Sequence, residues 1–432
     1  MTKRKAGLIV AAAASVGVAF AAGSAFAAEP LAEVSSELCK TCHQDVYKQW
    51  KKSMHSQSTA LGDPIHGAFY QQEVGDPRAE GQLHQKSQTF PVCLACHAPN
   101  AARAKNTKLD AKPAFSEGVN CVSCHTLKKY NGIRKPDGKF QLGVMAYDVA
   151  DELQAPQGVG RHLAALTGGG DDLFGGAGAG GGEKKPNPHL GKPVTFEGKE
   201  IPALPMEGNP RLLKTMDACM GCHDQRNNPQ GVPLCQTGSE YDESQAKVNC
   251  LACHMPMSDG VADHTMGGGH DLGMLQRGLI FDVAVDKQGD KLLAKAVFKN
   301  LLPHSMPTGA PFRNMYMKLT AYNAKGDVVW QSAKDHPAKD DKQAYFQYEM
   351  VDNEGKPAMP PVATKIGMDS RLKSHEERTL SYEIPAKDVV LVRGEVYYQL
   401  VWTNLAEKLK QAAPADVIAP KLIAQAERKV SG

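Results

Sequence analysis

The distribution of apolar and polar positions divides the chain into stretches of different character. It opens with a basic segment, MTKRK, then the apolar run GLIVAAAASVGVAFAAG and the small-residue sequence Ala25-Phe26-Ala27. This order predicts a signal peptide over residues 1–27 with cleavage before Ala28, rather than a retained membrane anchor. Residues 37 to 270 are poor in long periodic segments and rich in Gly, Pro and short helical turns, and GGGDDLFGGAGAGGG at 168–182 reads as a flexible loop. Beyond His270 the pattern changes to apolar and β-branched runs: LIFDVAV, LLAKAVF, MYMKLTAYN, DVVWQS, AYFQYEM, RTLSYEI and GEVYYQLVW. These predict seven strands, NAKGD between the third and fourth marks a hairpin, and the spacing is that of an Ig-like β-sandwich. Residues 414–429 read as a short helix ending in a basic turn.

The expected architecture is α+β. A mainly irregular and helical domain over 28–270 is followed by a β-sandwich domain over 271–405 and a helical tail over 406–432. The 432 residues carry 50 Lys and Arg against 47 Asp and Glu, and the net +3 equals the contribution of Lys3, Arg4 and Lys5. Without the signal peptide the polypeptide is neutral, which argues against nucleic acid as a partner. No later stretch is apolar for the length a membrane span needs, and the first cysteine, Cys39, lies too far from the cleavage point to accept a lipid.

Cysteine usage explains what organises the region without periodicity. Ten of the eleven cysteines form C-x-x-C pairs, each followed at once by histidine. The motifs are Cys39, Cys42 and His43; Cys93, Cys96 and His97; Cys121, Cys124 and His125; Cys219, Cys222 and His223; and Cys250, Cys253 and His254. Two thiols one helical turn apart form thioethers with the two vinyl groups of one haem, and the adjacent imidazole becomes the proximal iron ligand. Five motifs predict five covalent haem c groups, which then supply the core. Structural zinc or disulfides would account for the cysteine pairs but not for a histidine after every one. Haem propionates, about two negative charges per haem against roughly one positive charge on each ferric centre, make the loaded protein mildly acidic.

The sixth position on each iron separates electron transfer from chemistry. Ten histidines lie outside the motifs: His55, His66, His84, His162, His189, His264, His270, His304, His336 and His375. A helix starting in the first motif carries His55 away from that haem, so His55 should serve a neighbouring one. His264 and His270, in DHTMGGGH, sit where glycines allow close approach to a flat macrocycle, and at least one is expected to ligate. His162 and His189 flank the Gly-rich stretch and compete for one site. His304, in LLPHSMPTG, is either a ligand on a stiff loop or a buried ring bonded to backbone carbonyls. His336 and His375, in charged contexts, read as surface. Cys235, the odd cysteine, is inert, links two chains or ligates a metal.

The segments CKTCHQDVYKQWKKSMHSQS, DPIHGAFY, CLACHAP and EGVNCVSCH resemble the multihaem cytochrome family grouped with the tetrahaem cytochrome of ammonia-oxidising bacteria. CMGCHDQRNNPQGVPL, CLACHMP and DHTMGGGH are similar to later segments of larger members, and PHSMPTGAPFRNMYMKLTAYNAKGDVVWQS to the β-domain that often follows. The resemblance implies a chain of haems in which His55 is the distal ligand of another haem. The sequence departs from the family pattern at GSEYDES, where a Trp-containing segment is expected before the fifth motif.

The favoured function is electron transfer between redox partner proteins in the periplasm or outside the cell, through mostly bis-histidine haems. Two alternatives stand beside it. One is an oxidoreductase with an open haem site for a small nitrogen or sulfur compound; the other is an oligomer or extracellular filament assembled through the β-domain.

Overall fold

The computed structural model describes residues 30–157, 187–258, 260–410 and 413–430. The expected signal peptide, the Gly-rich stretch and His162 lie outside them. Helix and sheet are both present, and among the described residues no helix is long and apolar enough to cross a membrane.

The second half is built from nine strands: β1 (Leu279–Gln288), β2 (Lys291–Asn300), β3 (Asn314–Tyr322), β4 (Val328–Gln331), β5 (Tyr345–Val351), β6 (Lys365–Asp369), β7 (Glu377–Pro385), β8 (Leu391–Gln399) and β9 (Lys421–Lys429). All pairings among them are antiparallel. One sheet has the order β1-β2-β7, the other β6-β5-β3-β8-β9 with β4 paired to the far end of β3. Strict alternation decides which side chains turn inward. β2 buries Leu292, Ala294, Ala296 and Phe298, β3 buries Met315, Met317, Leu319 and Ala321, and β8 buries Val392, Val396 and Tyr398. These side chains form one cluster, in which Phe298 of the smaller sheet meets Phe346 of the larger with ring centroids 5.1 Å apart. The two sheets therefore face each other across a shared apolar core.

The structure corrects the expected C-terminal tail. Within 414–429 only Ala415–Ile418 is helical, and Lys421–Lys429 is β9, paired with β8 along its length. Helix-favouring Ala, Gln and Glu in KLIAQAERK yield to pairing with β8, because burying Ile423 against the core outweighs a weak propensity.

The first half consists of short helices, 3-10 turns and two-stranded ribbons around a core rich in small residues, including Ala95, Ala98, Ala101, Ala102 and Ala114 with Tyr70, Leu94, Leu109 and Phe115. Helix Pro64–Glu73 links the halves. Asp63 caps it by accepting the Ile65 N–H at 2.9 Å, and Pro64 suits the first turn, where its missing N–H leaves no bond unmade. Ile65 and Phe69, one turn apart, pack on the β-sheet core, with Phe69 stacked on Phe312 at 5.3 Å, while Tyr70 enters the small-residue core.

Candidate functional site

Each motif lies on or at a helix of one or two turns: Ser36–Lys40, Leu94–His97, Cys121–His125, Asp217–His223 and Cys250–His254, with His43 capping the next helix, Gln44–Lys52. Helices this short are not stable alone, so their neighbours must hold them. Glu117 joins the first and third: it accepts the Ser36 N–H at 2.9 Å and the Asn120 side-chain N–H at 3.1 Å. Asn120 in turn caps the third by accepting the Ser123 N–H, and Ser123 accepts the Asn120 N–H in return.

The second and fourth motifs meet across the turn Gly143–Ala146 and Tyr147. The Tyr147 hydroxyl accepts the Gly221 N–H at 2.9 Å and donates to the Asp217 carbonyl at 2.7 Å. A side chain on Gly221 would begin 2.3 Å from the Tyr147 ring and 2.8 Å from the Gly143 carbonyl, which is why CMGCH has glycine in the middle. Gly221→Ala is expected to lower stability by about 1–3 kcal/mol through overpacking, seen as a lower midpoint in thermal unfolding of the haem-loaded protein. An unchanged midpoint would show that Tyr147 can retreat.

Contacts between cysteine sulfurs show which motifs adjoin. The thiols of Cys39 and Cys121, of Cys96 and Cys222, and of Cys219 and Cys250 are in hydrogen-bond contact. In each pair one thiol is pushed well above its ordinary range by its neighbour and by burial: Cys39, Cys222 and Cys219 respectively. Cys124 lies near enough to Cys219 and Cys222 to add to the shift of both. Among the described residues no three His, Cys, Asp or Glu side chains converge as a zinc site requires.

Histidine geometry fits haem. Two imidazoles ligating one metal through Nε2, with bonds of about 2.0–2.1 Å, hold their ring centres roughly 6 Å apart. His43 and His189 are 6.1 Å apart and stacked at 23°, His125 and His264 are 6.4 Å apart at 21°, and His55 and His223 are 6.0 Å apart at 59°. Ring orientation is set through Nδ1, which faces a backbone carbonyl, an acceptor only, and so must carry the proton. His125 donates to Gln154, His189 to Leu204, His264 to Ala262, His254 to Gly267 and His304 to Ser305, over 2.7–3.0 Å. Nε2 is thereby left as a bare lone pair, the arrangement in which a ligating histidine is held. His55 makes its Nδ1 contact to the Met266 sulfur at 2.8 Å. Burial keeps His55 and His223 neutral: His55 is pushed down to about 4 and His223 to about 3, each mainly by desolvation. Burial lowers His304, and the nearby His254 adds to that shift.

His97 has a different neighbour. His66 lies against it with centroids 3.9 Å apart and planes tilted by 31°, too close to admit an iron between them, and both rings donate Nδ1–H to the Ser58 carbonyl. Their Nε2 atoms therefore point the same way, and that of His66 is buried without a partner. Spacing gave no reason to single out His66; its signature is the shared carbonyl. Glu240 and Tyr147 were likewise invisible, since their partners lie far along the chain.

The remaining candidates separate. His270 sits beside Arg313 and Lys421, its carbonyl accepting from Lys421 at 2.9 Å, and burial pushes its ring down to about 4. His375 is exposed, as expected. His336 is half-buried: its ring packs 4.4 Å from Tyr316, and Nδ1 accepts the Ala338 N–H, the reverse of the ligand pattern. Cys235 is buried, 6% exposed, which argues against its linking two chains.

The family described as cytochrome c554 and c-prime matches residues 38–126. The crystal structure of a penta-heme cytochrome c552 from Thermochromatium tepidum is similar at 59% identity and a TM-score of 0.86, over 93% of this chain and 100% of that one. A DUF1425 family member from Shewanella sp. pv-4, at 12% identity and a TM-score of 0.16 over 29% of this chain and 79% of that one, is too different in shape to bear on the fold. No curated protein matches.

Proposed function

Because the chain belongs to the multihaem c-type cytochromes, we propose that it is a five-haem electron carrier whose redox partners are proteins met outside the cytoplasm, in the periplasm or at the cell exterior. Each haem supplies a reversible one-electron couple tuned by axial ligands, burial and hydrogen bonds. The relative at 59% identity favours this over an open-site oxidoreductase or a filament subunit.

Cys39, Cys42, Cys93, Cys96, Cys121, Cys124, Cys219, Cys222, Cys250 and Cys253 hold the haems, with His43, His97, His125, His223 and His254 as proximal ligands. His189 would ligate with His43, His264 with His125 and His55 with His223, and His304, which lies near His254, would ligate with it. The sulfur contacts support a fourth motif at a junction, next to the third, second and fifth, with the first reached through the third. We read residues 28–270 as the haem domain and 271–405, together with β9, as an Ig-like β-domain; two antiparallel sheets facing across alternating inward residues support that reading.

The observation that carries the proposal is the 6.0–6.4 Å spacing of three histidine pairs, each built on a motif histidine. Mass spectrometry of the mature protein should find five haems, and paramagnetic resonance should find at least four low-spin ferric centres. Fewer than five haems, or mainly high-spin signals, would refute the assignment.

A further inference from the structure

We propose that Glu240, in the haem region, is a positioning residue that holds His304 in place opposite His254; this rests on the reading of His304 as a ligand. His304 lies on a connection with no helix or strand of its own, between β2 and β3. An imidazole so placed ligates well only if its loop is held to within about 0.5 Å by other contacts.

Two sets of contacts hold this loop, from opposite sides. On the sheet side Asn300, fully buried at the end of β2, donates to the His304 carbonyl at 2.8 Å and to the Lys373 carbonyl at 2.8 Å, and accepts the Leu302 N–H at 3.0 Å. Met306 adds a reciprocal backbone pair with Leu372. These bonds fix the loop relative to the sheets but leave its distance from the fifth motif undetermined.

The haem side supplies Glu240. It lies on helix Thr237–Ser244, a few residues before Cys250–His254. Its carboxylate is 9% exposed at the residue level, and one oxygen accepts both the Ser305 N–H at 3.1 Å and the Thr308 hydroxyl at 2.6 Å. Ser305 directly follows the histidine, and its own carbonyl accepts the His304 Nδ1–H. The other carboxylate oxygen takes the Arg371 guanidinium at 2.6 Å, and Arg371 is held in turn by two contacts to Asp369, at 2.8 and 2.9 Å. Both oxygens are committed, so the carboxylate has one orientation. A buried charge this well satisfied keeps its geometry, because moving it would strand Arg371 and two loop donors. Glu240 therefore ties the position of His304 to the haem region, where its helix packs on the fourth-motif helix Asp217–His223.

The test uses the haem-loaded full-length protein and follows the fifth haem by paramagnetic resonance, carbon monoxide binding and redox titration. His304→Ala should turn one haem in five high-spin and carbon-monoxide-reactive. Glu240→Ala should weaken the same ligation, giving partial conversion of that haem and a shift in its potential while the other four stay native. Glu240→Gln, which keeps an acceptor oxygen for the loop, should restore most of the low-spin signal. If Glu240→Ala fails to fold, Thr308→Val, which removes one of the two loop contacts, should shift the potential of that haem alone. Conversion by His304→Ala with native spectra and potentials in the Glu240 and Thr308 variants overturns the positioning role. Native spectra in His304→Ala overturn the ligand reading and the proposal with it.

Discussion

A protein in which Cys219 and Cys222 are both replaced by serine is expected to mature with four haems instead of five and to lose electron exchange between the first and third motifs and the second and fifth. Cys39 touches Cys121, which ties the first motif to the third; Cys124 faces Cys219 and Cys222, which ties the third to the fourth. Cys222 touches Cys96, and Cys219 touches Cys250. Every sulfur route from the first and third motifs to the second or the fifth passes through the fourth. After rapid partial reduction of the variant, the electron distribution should stay where it was deposited instead of relaxing toward equilibrium as in the native protein. Removing the fifth haem by replacing Cys250 and Cys253 should leave exchange among the other four intact. Native relaxation in the first variant would mean that another contact joins the two groups.

His55→Ala is expected to convert one haem in five, that of the fourth motif, to a high-spin form that binds carbon monoxide. The ring stands 6.0 Å from His223, and its backbone is held at the same time. The His55 carbonyl accepts the Val119 N–H at 2.8 Å, and Trp50 donates its indole N–H to the Val119 carbonyl at 2.8 Å. Gly118, with φ +69°, lies so close that a side chain there would begin 2.1 Å from the His55 carbonyl oxygen. Gly118→Ala should therefore displace His55 and produce the same spectral change with the imidazole still present. A native spectrum in His55→Ala would show that another residue ligates that iron.

The motif cysteines and histidines were legible because attachment chemistry is local: five consecutive residues make one site. The strands from LIFDVAV to GEVYYQLVW were legible for a related reason, since a half-buried strand writes its period directly into the sequence. β9 was not, because KLIAQAERK forms a strand only when the edge of β8 is there to pair with it. β6 was missed because KIGMD, with its central glycine and little burial, carries hardly any pattern. Pairings such as His43 with His189 are the hardest to foresee. They depend on backbone carbonyls, Leu204 for His189 and Gln154 for His125, that reach the rings only after the chain has folded.

The edges of the larger sheet bear on how the protein behaves at high concentration. β9 forms one edge, and the Lys421, Gln425, Glu427, Arg428 and Lys429 that decorate it oppose pairing with a second sheet by charge and hydration. The opposite edge, β6, is five residues long and joins β5 through an irregular register between Glu349 and Met350, which shortens the regular template it offers. Losing β9 would uncover the long, regular β8 as a new edge, creating a surface prone to strand-to-strand aggregation. The strand whose sequence looks helical thus serves as a colloidal safeguard, with its cost in local propensity repaid as solubility.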